Sequence, residues 1–572
     1  MKKSRILIAV LILETVVLLA VVAAFLIGRA RNNKESAEQP PSFSEPSEPV
    51  SEPVDEPPAE PPAEPSDAET TPDETPAETP PEEAAPSMGY SVSTSCDLAT
   101  DVGMAVLEAG GNAVDAAVAV SYALAVTEPY ASGLGGSGGL LLYDQKTGEC
   151  VFYDYRACAG SVKSSDDKIG VPGFVAGLEA VYLDYGTVPF AELIQPAIDF
   201  AEDGFPVSAQ MSDRISGEKA ILTDCGFLHK EDGSLLTQGD TLRQTQLAQV
   251  LREVQTGGAQ AFYHGWIAAD IAENTSLTED DLAAYRVYKR DAVQGSFEGY
   301  TVYGANAPLS GVTLIQMLEL AELIDIADPI ASPDSYLADL QQITALAYGI
   351  RTTTICDPDF AQIDEQSLVS PSFIRNLLGS NYDQEDYDSD YESPETTSFT
   401  IIDSDGLVVS ATNTLTHYWG TGIAVDGIFM NNTNSNFSSS GLNKYKPGKR
   451  SRTFTAPTII VGEDGSVMAI GTPGGNNIPS RLFCVLLDIL KFGMDPQEAV
   501  LKPAIMYRNG TLTMEVGVDS WFDVSAAEEP IDWKSDGAWW GSVSVSGYSE
   551  EAGTYAAYDP RRGATKVGVY NP

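Results

Sequence analysis

Two adjacent threonines, Thr396 and Thr397, follow directly on a strongly acidic stretch. Residues 381–395 read NYDQEDYDSDYESPE, and the chain continues TTSFTIIDSDGLVVSATNT. The β-branched and apolar residues on either side of SDG predict two strands joined by a turn. Two interpretations fit this pattern. The segment is either a loop that enters a hairpin, or a chain that is cut before Thr396 so that this threonine becomes a new N-terminus.

A threonine at a chain start has the groups that nucleophilic catalysis requires. A hydroxyl is a weak nucleophile and needs a base, and a free α-amine, with a pKa of about 8, can supply that base from the same residue. The alternative bases are few, because the chain has only three histidines, His229, His264 and His417. None lies in an HExxH motif, which disfavours a zinc site built from histidines.

Composition excludes several classes of protein. The 572 residues are 43% hydrophobic, enough for a large core. The net charge of −49 disfavours nucleic acid as a partner, since its phosphates require Lys and Arg. The six cysteines show no CxxC spacing and predict no dense disulfide framework.

The N-terminal part predicts a membrane anchor followed by a spacer. Residues 6–27 are nearly all apolar and long enough to cross a bilayer, so 1–5 are expected to form a cytoplasmic tail. A cleaved signal peptide is the alternative. Residues 28–87 predict a disordered linker rich in Pro and Glu, because they cannot form a core. We therefore expect a single-pass protein of the cell membrane with an extracellular folded part.

From residue 88 onward the composition is that of a globular protein. Residues 97–126 predict two helices separated by Gly110-Gly111-Asn112, the second of them apolar all round and therefore buried. A glycine-rich loop at 128–144 leads into a strand, and 150–160 alternates as a strand. Helical patterns dominate 173–378, strands dominate after Thr396, and 481–493 predicts a helix. This mixture indicates a layered α/β sandwich.

A series of motifs, in order along 88–572, resembles the γ-glutamyltransferase (γ-glutamyltranspeptidase) family of N-terminal nucleophile hydrolases. The motifs are GGNAVDAAVAV (110–120), GLGGSGG (133–139), GVPGFVAG (170–177), TTSFTIIDSDG (396–406), NTLTHYWGTG (413–422) and GTPGGNNIPS (471–480). The resemblance implies a four-layer αββα fold and a proenzyme that cuts itself between Glu395 and Thr396. The large subunit would be 88–395 and the small subunit 396–572, the two remaining together.

The resemblance also implies roles for individual residues. Thr396 matches the nucleophile, Thr414 the threonine that hydrogen-bonds it, and Gly474 and Gly475 the pair whose backbone N–H groups hold the oxyanion. Arg156 matches the arginine that binds the glutamyl α-carboxylate, although an ion pair with Asp154 is the alternative. Further expected substrate-binding residues are Thr416, Thr433, Asn436, Thr453 and Arg562. No metal or organic cofactor is implied.

Some residues depart from the family pattern. Thr416 stands where the family often has Asn, Thr453 replaces a serine, and Asn436 stands where an acid usually binds the α-ammonium. These departures favour a donor whose glutamate nitrogen is acylated, as in poly-γ-glutamate, and 439–458 with 559–563 resemble the branch that acts on such capsules. Water or an amine would be the acceptor. The alternatives are a glutathione-type γ-glutamyltransferase and an unprocessed, non-catalytic surface binding protein.

Overall fold

The computed structural model describes four ranges of the chain: 88–165, 167–380, 396–508 and 510–572. The predicted membrane anchor, the linker, the acidic segment and Glu395 lie outside these ranges. Within them, no helix is both long enough and apolar enough to span a bilayer.

The first of two large sheets has seven antiparallel strands, in the order β20-β1-β9-β10-β2-β3-β6. Its strands are β1 Tyr90–Thr94, β2 Ser137–Asp144, β3 Glu149–Tyr155, β6 Tyr288–Asp291, β9 Thr397–Ile402, β10 Leu407–Thr414 and β20 Gly568–Tyr570.

The second sheet has six antiparallel strands, in the order β19-β18-β14-β13-β8-β7. Its strands are β7 Val293–Phe297, β8 Tyr300–Gly304, β13 Thr458–Val461, β14 Val467–Gly471, β18 Ser544–Ser549 and β19 Gly553–Ala557. The two sheets face each other through β9, β10, β14 and β18, and apolar side chains such as Leu141, Phe152 and Ile459 fill the space between them.

Helices cover the outer face of each sheet, so the fold has four layers, as the resemblance implies. On the first sheet, α1 (Asp97–Glu108) packs against β1 and α2 (Ala113–Thr127) packs against β10. Every residue of α2 is buried, which confirms the prediction from its apolar composition. On the second sheet, α9 (Gly311–Ile324) packs against β7 and β8.

Smaller elements complete the described part of the chain. The remaining helices are α3 Phe174–Tyr185, α4 Phe190–Asp203, α5 Ala209–Gly217, α6 Thr245–Tyr263, α7 Gly265–Asn274, α8 Glu279–Ala283, α10 Pro333–Thr354, α11 Glu365–Leu368, α12 Pro371–Leu378, α13 Ile478–Leu486 and α14 Pro496–Leu501. The remaining strands are β4 Phe205–Pro206, β5 Thr241–Leu242, β11 Ala424–Val425, β12 Ile428–Phe429, β15 Ile505–Arg508, β16 Thr511–Glu515 and β17 Asp532–Lys534.

The helix predicted over 481–493 is only partly correct. Helix α13 begins three residues earlier, at Ile478, and the α-helical part ends at Leu486. A π-helical turn, Leu487–Lys491, continues it. The apolar pattern does not reveal this change, because a π-turn inserts one residue into an otherwise helical periodicity.

Strands from before residue 396 pair with strands from after it in both sheets. In the first sheet, β9 and β10 lie between β1 on one side and β2 on the other. In the second sheet, β13 pairs with β8 across the same division of the chain. The backbone ladders therefore join the two parts of the chain independently of the peptide bond that precedes Thr396.

Candidate active site

Thr396 lies at the head of β9, in the middle of the first sheet. Its side-chain hydroxyl donates a hydrogen bond to Oγ1 of Thr414 at 3.4 Å, and both residues are at most 2% exposed. The antiparallel register explains this contact. Asn413 of β10 pairs with Thr397 of β9, so Thr414, which follows Asn413, lies beside Thr396, which precedes Thr397. The structure thus brings together the predicted nucleophile and its predicted supporting threonine.

Thr414 is oriented by the turn that follows β10. The backbone N–H of Thr416 donates to Thr414 Oγ1 at 2.8 Å, and the Thr416 hydroxyl lies 3.0 Å from that of Thr433. Thr416 has a φ of +80°, which is unfavourable for a β-branched residue and is held by the surrounding contacts. The two hydroxyls are fully buried. Thr416 and Thr433 therefore help to position Thr414, and their predicted contact with substrate stays a prediction.

Arg562 fixes the backbone of the nucleophile. Its Nη1 donates to the carbonyl oxygen of Thr396 at 3.2 Å, while Nε and Nη2 donate to the carbonyl of Ala538. At 4% exposure, Arg562 is not a surface charge. The guanidinium contacts the nucleophile's own backbone, and its predicted contact with substrate stays a prediction.

Glu128, which the sequence analysis did not select, is a buried acid close to Arg562. Its carboxylate accepts hydrogen bonds from Ser95 Oγ at 2.8 Å and Tyr130 Oη at 3.0 Å. Burial raises the pKa of Glu128, while these bonds and the charge of Arg562 oppose the rise. Both residues line a cavity of about 270 Å³. The sequence feature that could have indicated Glu128 is its position as an acid directly after the apolar helix α2.

Arg156 follows β3 directly and is buried. Its backbone N–H donates to Asp154 Oδ1, and Nη2 donates to Ser451 Oγ at 3.4 Å. The Asp154 carboxylate forms its ion pairs with Arg290, at 3.1 Å, and Arg450, at 3.3 Å. Within the described ranges, Asp154 therefore pairs with Arg290 and Arg450, and the binding of the glutamyl α-carboxylate by Arg156 stays a prediction.

Ser451 connects Arg156 to the threonine cluster. Its hydroxyl donates to the carbonyl oxygen of Thr433 at 3.2 Å. Thr433 begins the 3₁₀ turn Thr433–Asn436, so Asn436 lies one turn away from the same carbonyl. The Asn436 carbonyl accepts from Asn443 Nδ2 at 2.7 Å. Arg156, Thr433 and Asn436 thus belong to one hydrogen-bonded region that continues to Thr414 and Thr396.

Thr453 lies in a second group of contacts. Its carbonyl accepts from Arg351 Nη2 at 2.7 Å and from Ser310 Oγ at 2.8 Å. Arg351, a buried cation of helix α10 that the sequence analysis missed, also stacks on Phe454, with the guanidinium carbon 3.7 Å from the ring centre. A lone arginine in a long helix gives no signal of this role.

Gly474 and Gly475 lie three and four residues beyond the end of β14. Both have positive φ values, +149° and +56°, and they lead through the 3₁₀ turn Gly475–Asn477 into helix α13. Backbone N–H groups at a helix start are suited to binding a negative oxygen. A Cβ on Gly471 would lie 2.3 Å from Ser398 Oγ, so β14 ends against the start of β9. The oxyanion role of the pair stays a prediction.

Comparison with known proteins agrees with the resemblance seen in the sequence. The family model described as gamma-glutamyltranspeptidase matches residues 99–569. The capsule biosynthesis protein CapD proenzyme of Bacillus anthracis is 43% identical over 401 residues, covering 69% of this chain and 74% of that protein. The glutathione hydrolase proenzyme of Bacillus subtilis (strain 168) is 32% identical over 469 residues, covering 72% and 80%.

A solved structure supports the fold. The cephalosporin acylase from Bacillus halodurans superposes with a TM-score of 0.74, covering 87% of this chain and 98% of the acylase, at 23% identity. The likeness extends over nearly the whole described part of the chain and concerns the fold alone.

The strained turn at Thr416 leads to a first prediction. Thr433→Val removes the hydroxyl that holds Thr416 at positive φ, so the Thr416 N–H should leave Thr414. We expect the kcat for a γ-glutamyl anilide to fall about tenfold, the size of one lost hydrogen bond. Thr416→Gly should restore most of that loss in the double variant, because glycine adopts positive φ without strain. A double variant as slow as Thr433→Val alone would contradict this account.

Proposed function

The chain belongs to the γ-glutamyltranspeptidase family, and we propose that it is a self-cleaving γ-glutamyl hydrolase or transpeptidase with Thr396 as its nucleophile. The observation that carries this proposal is the buried hydrogen bond from the Thr396 hydroxyl to Thr414, at the head of a central strand. A strand-opening threonine with no chemical role would not need a second buried hydroxyl at its side.

The proposed reaction has two steps. The Thr396 hydroxyl adds to the γ-carbonyl of a glutamyl donor, and its proton passes to the free α-amine of the same residue. The N–H groups of Gly474 and Gly475 stabilise the tetrahedral oxyanion. When the tetrahedral intermediate collapses, the amine of the donor leaves with the proton from the α-amine of Thr396. A γ-glutamyl ester remains on Thr396. Water or an acceptor amine then attacks the ester and regenerates the hydroxyl.

The pairing of strands from the two parts of the chain supports the proposed processing. Cutting the bond between Glu395 and Thr396 would leave every ladder between 88–395 and 396–572 intact, because β1 pairs with β9 and β20, β2 with β10, and β8 with β13. The two subunits would therefore remain together without a covalent link.

We further propose poly-γ-glutamate as the donor, rather than glutathione. Asn436 is neutral, and a charge-assisted hydrogen bond is about twice as strong as a neutral one, so a free ammonium gains less here than at an acid. An acylated nitrogen loses nothing, because the Asn oxygen can accept from its N–H. The higher identity to the relative named for capsule biosynthesis, 43% against 32% for one named glutathione hydrolase, supports the same choice.

The second prediction concerns processing. Thr396→Ala removes the hydroxyl, so the protein should remain a single chain and be inactive. Thr397→Val, its matched control, keeps Thr396 and should still mature to two chains, with the small one starting at Thr396. Denaturing gels and N-terminal sequencing measure both results. A small chain that starts elsewhere, or full activity of Thr396→Ala, would refute Thr396 as the nucleophile. An uncut but correctly folded wild type would favour the binding-protein alternative.

The third prediction concerns the donor. Asn436→Asp should raise kcat/KM for glutathione about tenfold and lower it for poly-γ-glutamate, because it adds a charge-assisted bond of about 1–2 kcal/mol to a free ammonium. Ser435→Asp places the same charge one residue away, on an exposed side chain, and should change the ratio far less. An unchanged ratio in Asn436→Asp would show that this residue does not contact the α-nitrogen.

The fourth prediction concerns location. We propose that residues 6–27 anchor the protein in the cell membrane and that the catalytic part lies outside, because 6–27 are apolar and 28–87 have the composition of a spacer. Protease added to intact cells should cut the linker between 32 and 87 and release soluble γ-glutamyl hydrolase activity. Complete protection of the protein in intact cells, with cleavage after lysis, would contradict an extracellular catalytic part.

A further inference from the structure

Four lysines form a basic surface beside the candidate active site. They are Lys163, Lys168, Lys444 and Lys446, here termed the lysine rim. The chain as a whole has 82 acidic and 33 basic residues, but residues 427–462 contain five Lys or Arg and no Asp or Glu. Lys163, Lys444 and Lys446 are exposed and Lys168 is half-buried. Of the five basic residues in 427–462, Lys449, Arg450 and Arg452 are buried, so Lys444 and Lys446 are the exposed charges of a segment that has no acid.

The two loops that carry the rim are joined at Tyr445. Its hydroxyl lies within hydrogen-bond distance of the carbonyl oxygens of Gly160, at 2.7 Å, and Val162, at 3.0 Å. The Lys163 ammonium lies 5.4 Å from the centre of the Tyr445 ring. Lysines that are nearly 300 positions apart in the chain therefore belong to one surface.

The rim borders the turn that contains Asn436. The backbone N–H of Asn434 donates to the carbonyl of Lys168 at 2.8 Å, which places one loop against the turn. On the other side, Asn443 Nδ2 donates to the Asn436 carbonyl, and Lys444 is the next residue. Asn436 is thus flanked by both halves of the rim.

Three described acids near the rim form contacts with other groups. Asp167 accepts from Ser276, Asp281 accepts from Ser161 and Thr278, and Asp359 pairs with Arg290 at 3.4 Å. Within the described ranges of the chain, none of the four rim lysines forms an ion pair with an acid. The ammonium groups of the rim are accordingly available to an anion from solution.

We propose that the lysine rim binds the α-carboxylates of the glutamates that precede the donor residue in a γ-linked polymer. This inference rests on the proposed function. In such a polymer, the donor's α-nitrogen is acylated by the preceding glutamate, so the rest of the polymer must leave the site past the group that meets that nitrogen. If that group is Asn436, the next glutamates pass directly over the rim, each with one negative charge.

Lysine suits this kind of recognition. Its ammonium is a point charge on a flexible stem, so it follows a polymer whose backbone has no fixed conformation. Exposed pairs of this kind are individually weak and are screened by salt. The rim should therefore accelerate capture of long donors at low ionic strength and have little effect on short ones.

Two donors with the same scissile bond test the proposal. One is N-acetyl-γ-glutamyl p-nitroanilide, and the other carries four additional γ-linked glutamates in front of the same residue. For the wild type, we expect the longer donor to have a kcat/KM about fivefold higher at low ionic strength, with the gain lost at high salt. The double variant Lys444→Gln/Lys446→Gln should lose most of the gain and hydrolyse the short donor normally.

A control pair removes the same amount of charge elsewhere. Lys146→Gln/Lys566→Gln replaces two exposed lysines that pair with Asp405 and Asp101, and it should keep the full gain. The proposal would be overturned if the wild type showed no higher kcat/KM for the longer donor, if that difference did not depend on salt, or if it remained in Lys444→Gln/Lys446→Gln. Each of these results would leave the proposed function intact.

If neither anilide is hydrolysed, the proposed function fails. A binding measurement then tests separately whether the lysine rim contacts the polymer. Fluorescence anisotropy with labelled poly-γ-glutamate at low salt would then compare the two double variants. Weaker binding by Lys444→Gln/Lys446→Gln than by Lys146→Gln/Lys566→Gln would support the rim, and equal binding would overturn it.

Discussion

The hydrogen bonding of β9 on both of its edges is the constraint on which the site depends. A chain terminus frays unless it is held, and a nucleophile at a terminus must not move. Strand β9 pairs with β1 and β10, which holds the backbone directly after Thr396, and Arg562 binds the Thr396 carbonyl itself. The hydroxyl then needs only one further contact, from Thr414 on the adjacent strand, to be directed.

The same constraint joins the two parts of the chain. One edge of β9 is held by β10 from its own part of the chain, and the other edge is held by β1 from the part before residue 396. Asp403 strengthens the junction, since its carboxylate accepts from the N–H of Ala113 at the start of α2 and from Leu407 in its own hairpin. Burial raises the pKa of Asp403, and these backbone bonds counteract the rise.

Sequence reasoning succeeded where the signal is local and failed where it is tertiary. The order of elements followed from periodicity, whereas the four layers and the contact between Thr396 and Thr414 were implied by the resemblance to the γ-glutamyltransferase family. Arg351, Glu128 and Ser451 were missed, because each is a common residue in an ordinary helix or loop and acquires its role only through partners more than 30 positions away. The positive φ of Thr416 was equally hidden, since a β-branched residue predicts the opposite backbone geometry.

The central claim, that Thr396 carries the acyl group, is tested most directly by trapping the intermediate. The mature protein would be mixed with a γ-glutamyl anilide, quenched in acid within milliseconds, digested and analysed by mass spectrometry. The account predicts a glutamyl group in ester linkage on the Thr396 hydroxyl of the peptide that begins at Thr396, preserved when the digestion is carried out at acid pH. An adduct on any other residue, or release of the aniline in a full burst without an adduct on this peptide, would contradict it.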